Sequence, residues 1–405
     1  MASKNRYLKP AYTTVQFLFY SIILFTCLNC ERTPLILNRQ EIIQLTESTF
    51  FPTKPLQQSV FKVQTFIDTL IQKDAEEILR KELIKNDAEK GCVAVMDVQS
   101  GKIRALVNLE KTAMGKYLTH KNSVVDQLIE PGSFIKAFNV MALLEDGKST
   151  TGQIYSSGNG VIDYSGIILK DAKTGGFGEL SLGDALSFSS NVIFAKAITQ
   201  AYNKEPHQYI SRLKHCFNQE EMNLPFQGQT KQQIPSTDSK NWATITLPWL
   251  SIGYGLKLSP IQILTYYNAL ANKGQLVQPR FISWIKNEKK NQVFYPKKMK
   301  STRICSTRTA QELRYFLRKA MTKGNGVSFQ SNQVEIAGKT TSTQRITENF
   351  NRKHLSGFAG YFPHSKPKYS IIVIVDNLKY PSPQLAGEIV KNISEKIEHE
   401  STLNR

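Results

Sequence analysis

Short apolar runs of strand length occur near both ends of the main part of the chain. The runs Cys92–Val98 and Ile103–Leu109 flank a Ser-Gly turn, and the runs Leu355–Phe362 and Tyr369–Val375 flank a longer polar turn. Two apolar runs joined by a turn are typical of a β-hairpin. The pattern therefore predicts one hairpin near the start of the folded region and a second hairpin near its end.

The segments between these hairpins are apolar at three- and four-residue spacing, which is typical of amphipathic helices. The spacing predicts helices over residues 133–146, 181–201, 259–273 and 308–322, and a last helix over residues 384–397. Strands at both ends of a chain with helices between them favour a layered arrangement. The sequence therefore predicts an α+β (α/β layered) fold, with one antiparallel sheet built from both ends of the domain and a helical subdomain in the middle.

The first residues of the chain have the composition of a membrane segment. Basic side chains precede an almost unbroken apolar run from Val15 to Leu28. Basic residues before such a run keep its N-terminal flank in the cytoplasm, and about 20 apolar residues cross a bilayer. Since no small-residue cleavage site follows, a retained helix is favoured over a cleaved signal peptide, and lipidation of Cys27 or Cys30 stays open. We expect residues 1–31 to form a cytoplasmic tail and a membrane anchor.

Charge and cysteine content exclude several classes of function. The formal net charge is +19, and such an excess can mark nucleic acid or an anionic membrane surface as a partner. The basic residues are scattered, without an aromatic-interleaved basic ladder or zinc-finger spacing, so we expect no nucleic-acid partner. The five cysteines show no metal-ligand spacing. We therefore expect neither a metal nor an organic cofactor.

The segment Glu130-Pro-Gly-Ser-Phe-Ile-Lys136 carries the first chemical motif. Pro-Gly forms a turn, Ser133 is a preferred helix start, and Lys136 lies three residues later on the same helix face. A buried lysine can be neutral enough to take the proton of a serine hydroxyl, and a helix N-terminus offers N–H groups to an oxyanion. Three further S-x-x-K sequences lack the Pro-Gly lead. The pattern therefore singles out Ser133 as the candidate nucleophile.

Two later segments offer polar groups of complementary kinds. The sequence Ser189-Ser-Asn191 lies in a predicted break between helical segments, where a hydroxyl can relay a proton and an amide can orient a peptide carbonyl. The sequence Lys339-Thr-Thr-Ser342 follows an apolar strand, where a lysine can hold a carboxylate and strand N–H groups can pair with a peptide. Taken alone, the first segment is explained equally well as a helix N-cap, and the second as an exposed strand end.

In this order and spacing, the three motifs resemble the transpeptidase domain of class B penicillin-binding proteins, within the active-site serine penicillin-recognising superfamily. Residues Ser251–Gln262 resemble the segment that these enzymes carry between their second and third motifs, and Gly357–Pro363 resemble their closing hairpin. The resemblance covers roughly residues 91–400. The Ser-Ser-Asn and Gly-Tyr-Gly-Leu sequences are closer to the septal, cell-division branch than to the elongation branch.

The resemblance implies catalytic roles for four side chains. Ser133 would be the acylated nucleophile, and Lys136 would be its base. Ser189 would relay the proton of the leaving group, and Lys339 would assist through its charge. No metal ion takes part in the chemistry that the resemblance implies.

Substrate binding is implied for a second group of residues. Asn191 would hold the substrate backbone, and the hydroxyls of Thr340 and Ser342 would meet its terminal carboxylate, beside Thr341. The oxyanion hole would consist of the backbone N–H groups of Ser133 and Ser342. The family reaction that follows is attack on a D-Ala-D-Ala stem peptide, loss of the last D-Ala and transfer of the acyl group to an amine. β-Lactams acylate the same serine.

The third motif departs from the family pattern at one position. The family has Lys-Thr-Gly or Lys-Ser-Gly, whereas Thr341 stands here in the place of the glycine. Glycine lets a ligand approach the strand without a Cβ in the way, so Thr341 either narrows the cleft or points behind the sheet. A literal Lys173-Thr-Gly175 also occurs, but it precedes the second motif with no strand before it, and we do not assign it.

The resemblance also sets expectations for domains, location and partners. Class B enzymes carry an extended pedestal, for which residues 32–90 are too short, so we expect a short approach segment with the pedestal reduced or absent. The transpeptidase domain would cover residues 91–401, on the periplasmic side of a single-pass protein of the bacterial cytoplasmic membrane. Stem peptides, β-lactams and a glycosyltransferase or division-complex protein are the expected partners. A D,D-carboxypeptidase or β-lactamase on the same fold, and a non-catalytic scaffold or β-lactam sensor, stay open.

Overall fold

The computed structural model describes residues 35–37, 61–119, 122–164, 166–217, 224, 231–287, 291–296, 301–346 and 352–403. The membrane anchor expected over residues 1–31 lies outside these ranges and stays a prediction. Among the helices within them, none is both long and apolar enough to cross a bilayer.

The long strands lie near both ends of the chain, and most helices lie between them. Among the described residues the strands are β1 Leu35–Leu37, β2 Phe61–Thr65, β3 Lys90–Asp97, β4 Ile103–Lys111, β5 Tyr117–Leu118, β6 Ile154–Ser156, β7 Val161–Tyr164, β8 Ile167–Lys170, β9 Glu179–Ser181, β10 Gln275–Leu276, β11 Ile282–Asn287, β12 Gln292–Phe294, β13 Thr302–Arg303, β14 Ala337–Ile346, β15 Arg352–Phe362 and β16 Tyr369–Leu378. The helices are α1 Thr69–Lys85, α2 Ser123–Asp126, α3 Ile135–Glu145, α4 Leu182–Phe188, α5 Asn191–Tyr202, α6 Pro206–Cys216, α7 Thr246–Ser251, α8 Pro260–Ala271, α9 Thr307–Thr322 and α10 Leu385–Leu403.

The main sheet joins strands from both ends of the chain. Its order is β14-β15-β16-β3-β4-β5, and each neighbouring pair is antiparallel. The junction between the two ends is the pairing of β16 with β3, where Val373 lies opposite Val93. The prediction of a mixed α and β fold, with an antiparallel sheet built from both ends of the domain, is therefore confirmed.

Both faces of the main sheet are covered, as the alternation along β3 shows. Cys92, Ala94 and Met96 pack with the helices from the middle of the chain, whereas Val93 and Val95 pack with α1 and α10. Successive side chains of a strand point to opposite faces, so a strand that is buried on both faces has an unbroken apolar sequence. This is why the strand sequences show apolar runs instead of an alternating pattern.

Helix α1 packs on the same face of the sheet as α10. Ile71, Ala75 and Leu79 recur at four-residue spacing and are buried in the same cluster as Ile389 and Ile393. Part of the expected approach segment thus contributes to the core beneath the sheet. The domain boundary at residue 91 stays a prediction. Strands β1 and β2 of the same segment form a smaller antiparallel sheet with β11 and β12.

Helix α8 is buried on all sides and connects the sheet to the turn before α3. A helix that is buried on all sides is mostly apolar, and the few polar side chains that it carries need hydrogen-bond partners inside the core. The Tyr267 hydroxyl donates to the Phe134 carbonyl at 3.0 Å, and the Asn268 Nδ2 donates to the Val98 carbonyl at 3.1 Å. The Ser370 hydroxyl donates to the Asn268 Oδ1 at 2.7 Å. These bonds set the position of the Ser133 helix relative to the sheet.

The helical region expected over residues 181–201 consists of α4 and α5, with a break between them. Ser189 ends α4 in the left-handed conformation, with φ of 66°, and its N–H donates to the Ala185 carbonyl. The Ser190 hydroxyl accepts the Ile193 N–H and so caps the start of α5. The predicted break at Ser189 is confirmed, and it allows one short segment to present both a hydroxyl and an amide.

Replacing Asn268 by leucine tests the link between α8 and the sheet. Asn268→Leu keeps the branched shape but leaves the buried Val98 carbonyl without this donor and the Ser370 hydroxyl without this acceptor. We expect the free energy of unfolding to fall by roughly 2–3 kcal/mol, because buried polar groups that lose a partner keep their desolvation penalty. Urea unfolding measures the change. The exposed Asn241→Leu is the control, and equal effects of the two substitutions would contradict the prediction.

Candidate active site

Ser133 lies at the start of the helix that carries Lys136. Gly132 has φ of 52°, a left-handed conformation that glycine adopts without strain, and residues 132–134 form a 3-10 turn that continues into α3. Ser133 is partly exposed, whereas Lys136 has no exposed surface. The turn therefore presents the hydroxyl at the surface and places the amine behind it.

The segment that begins at Ser251 supports this turn from behind. The Gly132 N–H donates to the Gly253 carbonyl at 3.1 Å. Gly253 has φ of 85°, and a Cβ at this position would lie 2.1 Å from the Gly132 oxygen, so only glycine fits there. The Gly255 N–H donates to the Glu130 carboxylate at 3.2 Å. The segment singled out by the sequence resemblance is thus a rigid support for the turn around Ser133.

The Lys136 amine brings the first two sequence motifs together. Its Nζ lies 3.1 Å from the Ser133 Oγ, 3.0 Å from the Ser189 Oγ and 2.6 Å from the Asn191 Oδ1. It also lies 2.8 Å from the Ser189 carbonyl oxygen. The Ser189 and Ser133 hydroxyls are 3.0 Å apart. Four of the predicted site residues therefore form one hydrogen-bonded cluster.

Burial favours the neutral form of Lys136. Removal from water lowers its pKa well below the ordinary value of 10.5, and the positive charge of Lys339 lowers it further, whereas Asp171 acts in the opposite direction. A neutral amine has two N–H donors and one lone pair. The Ser189 carbonyl and the Asn191 Oδ1 can only accept, so they take the two donors. The lone pair is then available to the serine hydroxyls, which is the arrangement that a general base requires.

Lys339 comes from strand β14 and lies near enough to the Lys136 amine for its charge to lower the pKa of that amine. The residue is 2% exposed, and burial lowers its pKa to about 7. The Nζ donates to the Thr340 carbonyl at 3.2 Å. Because this pKa lies near neutrality, a bound carboxylate would favour the charged form, and a neutral ligand would not.

Strand β14 lies at the edge of the main sheet, and its side chains alternate across it. Lys339 and Thr341 share the face toward α3, where the Thr341 hydroxyl contacts the turn around Ser133. Thr340 and Ser342 lie on the opposite side of the strand, paired with Phe358 and Ser356 of β15. Thr340 is half-buried and Ser342 is exposed. Their expected contacts with a substrate carboxylate stay predictions.

The hydroxyl of Thr341 bears directly on the expected oxyanion hole. The Ser133 N–H, one of the two expected donors, donates to the Thr341 Oγ1 at 3.0 Å. The sequence left open whether the Thr341 side chain narrows the cleft or points behind the sheet, and in the structure this side chain lies against the turn around Ser133.

Asp171 is a site residue that the sequence reasoning missed. The residue is 8% exposed, and its carboxylate accepts the N–H groups of Asn191 and Val192 at 2.6 and 3.1 Å and the Ser190 hydroxyl at 3.0 Å. A carboxylate at a helix N-terminus stabilises the unpaired N–H groups there. Asp171 therefore holds the start of α5, and with it the Asn191 amide. It lies 20 residues before Asn191, so no local spacing signals this contact.

The sequence Lys173-Thr-Gly175 lies outside the cluster. It forms an exposed turn between β8 and β9, where the Lys173 amine lies over the Phe177 ring. Its rejection as the third motif agrees with this position.

Comparison with protein families shows a match to the model "Penicillin binding protein transpeptidase domain" over residues 91–395. Among curated proteins, the chain is 26% identical over 409 residues to the "Peptidoglycan D,D-transpeptidase FtsI homolog" of Mesostigma viride, covering 91% of this chain and 67% of that protein. It is 25% identical over 337 residues to the "Probable peptidoglycan D,D-transpeptidase PenA" of Neisseria flavescens, covering 81% and 80%. Of the longer PenA protein of Neisseria meningitidis serogroup B, it covers 51%.

Solved structures show the same fold. The transpeptidase domain of penicillin-binding protein 3 from Burkholderia pseudomallei superposes with a TM-score of 0.70 at 24% identity, covering 84% of this chain and 96% of that one. Penicillin-binding protein 3 from Mycobacterium tuberculosis superposes with a TM-score of 0.75 at 22% identity, covering 88% and 82%. At these identities the likeness concerns the fold alone.

Substitution of Asp171 tests whether its carboxylate fixes the position of the segment Ser189–Asn191. Asp171→Asn removes the charge at the start of α5 and places an amide where a carboxylate accepts N–H groups. We expect acylation of Ser133 by a penicillin to slow by roughly 10- to 100-fold, because Asn191 and Ser189 lose their fixed position. We expect stability to fall by about 1–2 kcal/mol. Acylation time courses and thermal unfolding measure the two effects. The exposed Asp163→Asn is the control, and a similar slowing there would contradict the prediction.

The low pKa of Lys339 predicts how stability depends on pH. Between about pH 7 and its ordinary pKa of 10.5, the unfolded chain binds a proton at Lys339 that the folded protein does not. The free energy of unfolding should therefore rise with pH in this window, by at most about 1.4 kcal/mol per pH unit from this group. Below pH 7 both states bind the proton and this contribution to the slope vanishes.

The comparison with Lys339→Met isolates this contribution, since methionine is of similar length and does not titrate. Denaturant unfolding between pH 7 and 10 should show a smaller slope with pH for Lys339→Met than for the wild type. The exposed Lys366→Met controls for the loss of a lysine side chain. Equal slopes for the wild type and Lys339→Met would show that Lys339 titrates alike in the folded and unfolded chain.

Proposed function

We propose, since the chain belongs to the family of penicillin-binding protein transpeptidase domains, that it is a peptidoglycan D,D-transpeptidase with Ser133 as its nucleophile. The observation that carries the proposal is the buried Lys136 amine. It lies 3.1 Å from the Ser133 hydroxyl and has a lowered pKa. The names of the curated relatives support the same activity.

Acylation is the first half of the proposed reaction. The Ser133 Oγ attacks the carbonyl carbon of the penultimate D-Ala of a stem peptide, and its proton passes to the Lys136 Nζ. A tetrahedral intermediate forms with a negative oxygen, which the backbone N–H groups of Ser133 and Ser342 would bind. The C–N bond then breaks, and the leaving D-Ala amine takes the proton through the Ser189 hydroxyl. The product is an ester on Ser133.

Transfer is the second half. The amine of a second stem peptide attacks the ester carbonyl, and its proton returns through Lys136 to the Ser133 Oγ as the C–O bond breaks. The new amide bond cross-links the two peptides. Asn191 would hold the donor backbone, and the hydroxyls of Thr340 and Ser342 would meet the terminal carboxylate before it leaves, while Lys339 would assist through its charge. The pKa of Lys339 near 7 suits this role, because the arriving carboxylate draws a proton onto the amine.

β-Lactams would acylate Ser133 in the same way as the stem peptide does. The C–N bond that breaks is then the amide bond of the β-lactam ring, so the ring opens and no D-Ala is released. One structural neighbour is penicillin-binding protein 3 of Mycobacterium tuberculosis complexed with aztreonam, at 23% identity and a TM-score of 0.74. We include residues 1–31 in the proposal as a membrane anchor and residues 91–401 as the extracytoplasmic transpeptidase domain. A glycosyltransferase or division-complex protein remains the proposed partner.

Labelling with a fluorescent penicillin tests the proposal. The full chain in detergent is incubated with the probe beside Ser133→Ala and beside Ser211→Ala and Ser365→Ala, which remove the exposed serines of two other S-x-x-K sequences. We expect Ser133→Ala to lose all labelling, because no other hydroxyl carries the acyl group, and the two controls to label as the wild type does. Labelling that survives in Ser133→Ala would overturn the assignment of the nucleophile.

Product analysis then separates transfer from hydrolysis. With a D-Ala-D-Ala donor peptide and an amine acceptor, a transpeptidase forms a new amide, whereas a carboxypeptidase releases the shortened peptide alone. A folded wild-type protein that is acylated neither by the fluorescent penicillin nor by the donor peptide would favour the scaffold alternative.

A further inference from the structure

The Thr341 hydroxyl lies between two backbone groups of the turn around Ser133. It accepts the Ser133 N–H at 3.0 Å and donates to the Pro131 carbonyl at 3.1 Å. Thr341 is 2% exposed, and its bond to the Pro131 carbonyl is buried, whereas its bond to the Ser133 N–H is partly buried. The side chain that replaces the glycine of the family motif is therefore bonded to the backbone donor of the nucleophile itself.

Two glycines make room for this side chain. A Cβ on Gly132 would lie 2.4 Å from the Thr341 Oγ1, and a Cβ on Gly357 would lie 2.8 Å from the Thr341 Cγ2. Gly357 is the residue directly opposite Thr341 in β15. The hydroxyl and the methyl group of Thr341 thus fill the spaces left by the two glycines. Packing holds the side chain in the rotamer that reaches Ser133.

The position of this hydroxyl conflicts with the use of the Ser133 N–H in catalysis. An oxyanion hole works because its donors point at the place where negative charge develops. Each backbone amide has one N–H, and it cannot make two full-strength bonds at once. A reacting carbonyl oxygen therefore reaches the Ser133 N–H only as the Thr341 hydroxyl gives it up.

The geometry points to Thr341 as the side chain that sets the rate of acylation, by occupying the oxyanion donor of Ser133 until the reacting carbonyl displaces it. This inference rests on the proposed function. The exchange replaces a neutral hydrogen bond by a charge-assisted one, which is roughly twice as strong. The Thr341 hydroxyl keeps its bond to the Pro131 carbonyl throughout. The wild type is therefore acylated slowly by β-lactams and stem peptides, but it is acylated.

Three substitutions separate the effect of the hydroxyl from that of bulk. Thr341→Val keeps the branched shape without the hydroxyl, Thr341→Ser keeps the hydroxyl without the methyl group, and Thr341→Gly restores the family residue. The full chain is mixed with a fluorescent penicillin, and the acylation rate constant and the apparent binding constant are measured separately. We expect Thr341→Val and Thr341→Gly to acylate at least about tenfold faster, since one oxyanion donor is worth roughly 10²- to 10³-fold in rate. Thr341→Ser should stay near the wild-type rate.

Thermal unfolding of the same proteins distinguishes this role from a structural one. Thr341→Val and Thr341→Gly deprive the Pro131 carbonyl of the Thr341 donor, so their Tm should fall while their acylation rate rises. A residue with a purely structural role would lower both. The control is Thr343→Val, two residues along the same face of β14. The Thr343 Cγ2 would lie 2.6 Å from a Cβ on Gly132, and valine keeps that methyl group. Its rate should equal that of the wild type.

Two patterns would overturn the inference while the proposed function stands. If Thr341→Val stays slow and Thr341→Ser becomes fast, bulk and not the hydroxyl limits acylation. If Thr341→Val and Thr341→Gly are both acylated more slowly than the wild type, the hydroxyl assists the reaction. If no folded protein of the series is acylated, the wild type included, the proposed function itself fails, and this inference fails with it.

Discussion

The buried amine of Lys136 is the group on which the rest of the site depends. A lysine without exposed surface is costly as a cation, so the fold must either neutralise it or surround it with acceptors. Here the Ser189 carbonyl and the Asn191 amide oxygen accept from the amine and leave its lone pair toward the serine hydroxyls. These acceptors can reach the amine only because the chain breaks between α4 and α5 with Ser189 in the left-handed conformation. Asp171 then holds the new helix start in place.

Close backbone contacts give the site its rigidity. Gly132 and Gly253 approach each other so closely that a single Cβ would separate them, and Gly357 leaves the space that the Thr341 methyl group fills. Such contacts leave little freedom for side-chain rearrangement, which suits a site whose atoms must be placed to within a fraction of an ångström. The buried helix α8 links the turn around Ser133 to the sheet, because Tyr267 donates to the Phe134 carbonyl and Asn268 donates to the Val98 carbonyl.

Thr341 shows how one position couples stability to reactivity. Its hydroxyl provides partners for two backbone groups of the turn around Ser133, and the bond to the Pro131 carbonyl is buried. A satisfied polar group stabilises the resting protein, whereas a catalytic donor works best when it is left free for the transition state. In the proposed reaction, stability therefore favours a Ser133 N–H that is already bonded, whereas catalysis favours one that is free. A glycine at position 341 would leave the Ser133 N–H free for the proposed reaction, whereas threonine stabilises the resting protein by bonding to it.

The sequence by itself determined what depends on local geometry. The spacing of Ser133 and Lys136 places both on one helix face whatever surrounds them, and the apolar runs predicted the strands and the mixed fold. Tertiary structure alone decided the contacts between distant segments. Ser133 and Thr341 are 208 residues apart, and Asp171 meets Asn191 only because β8 ends beside α5. Which face of β14 carries Thr341 depends on the register of β14 with β15. A shift of one residue would reverse it, and no local pattern of residues encodes that register.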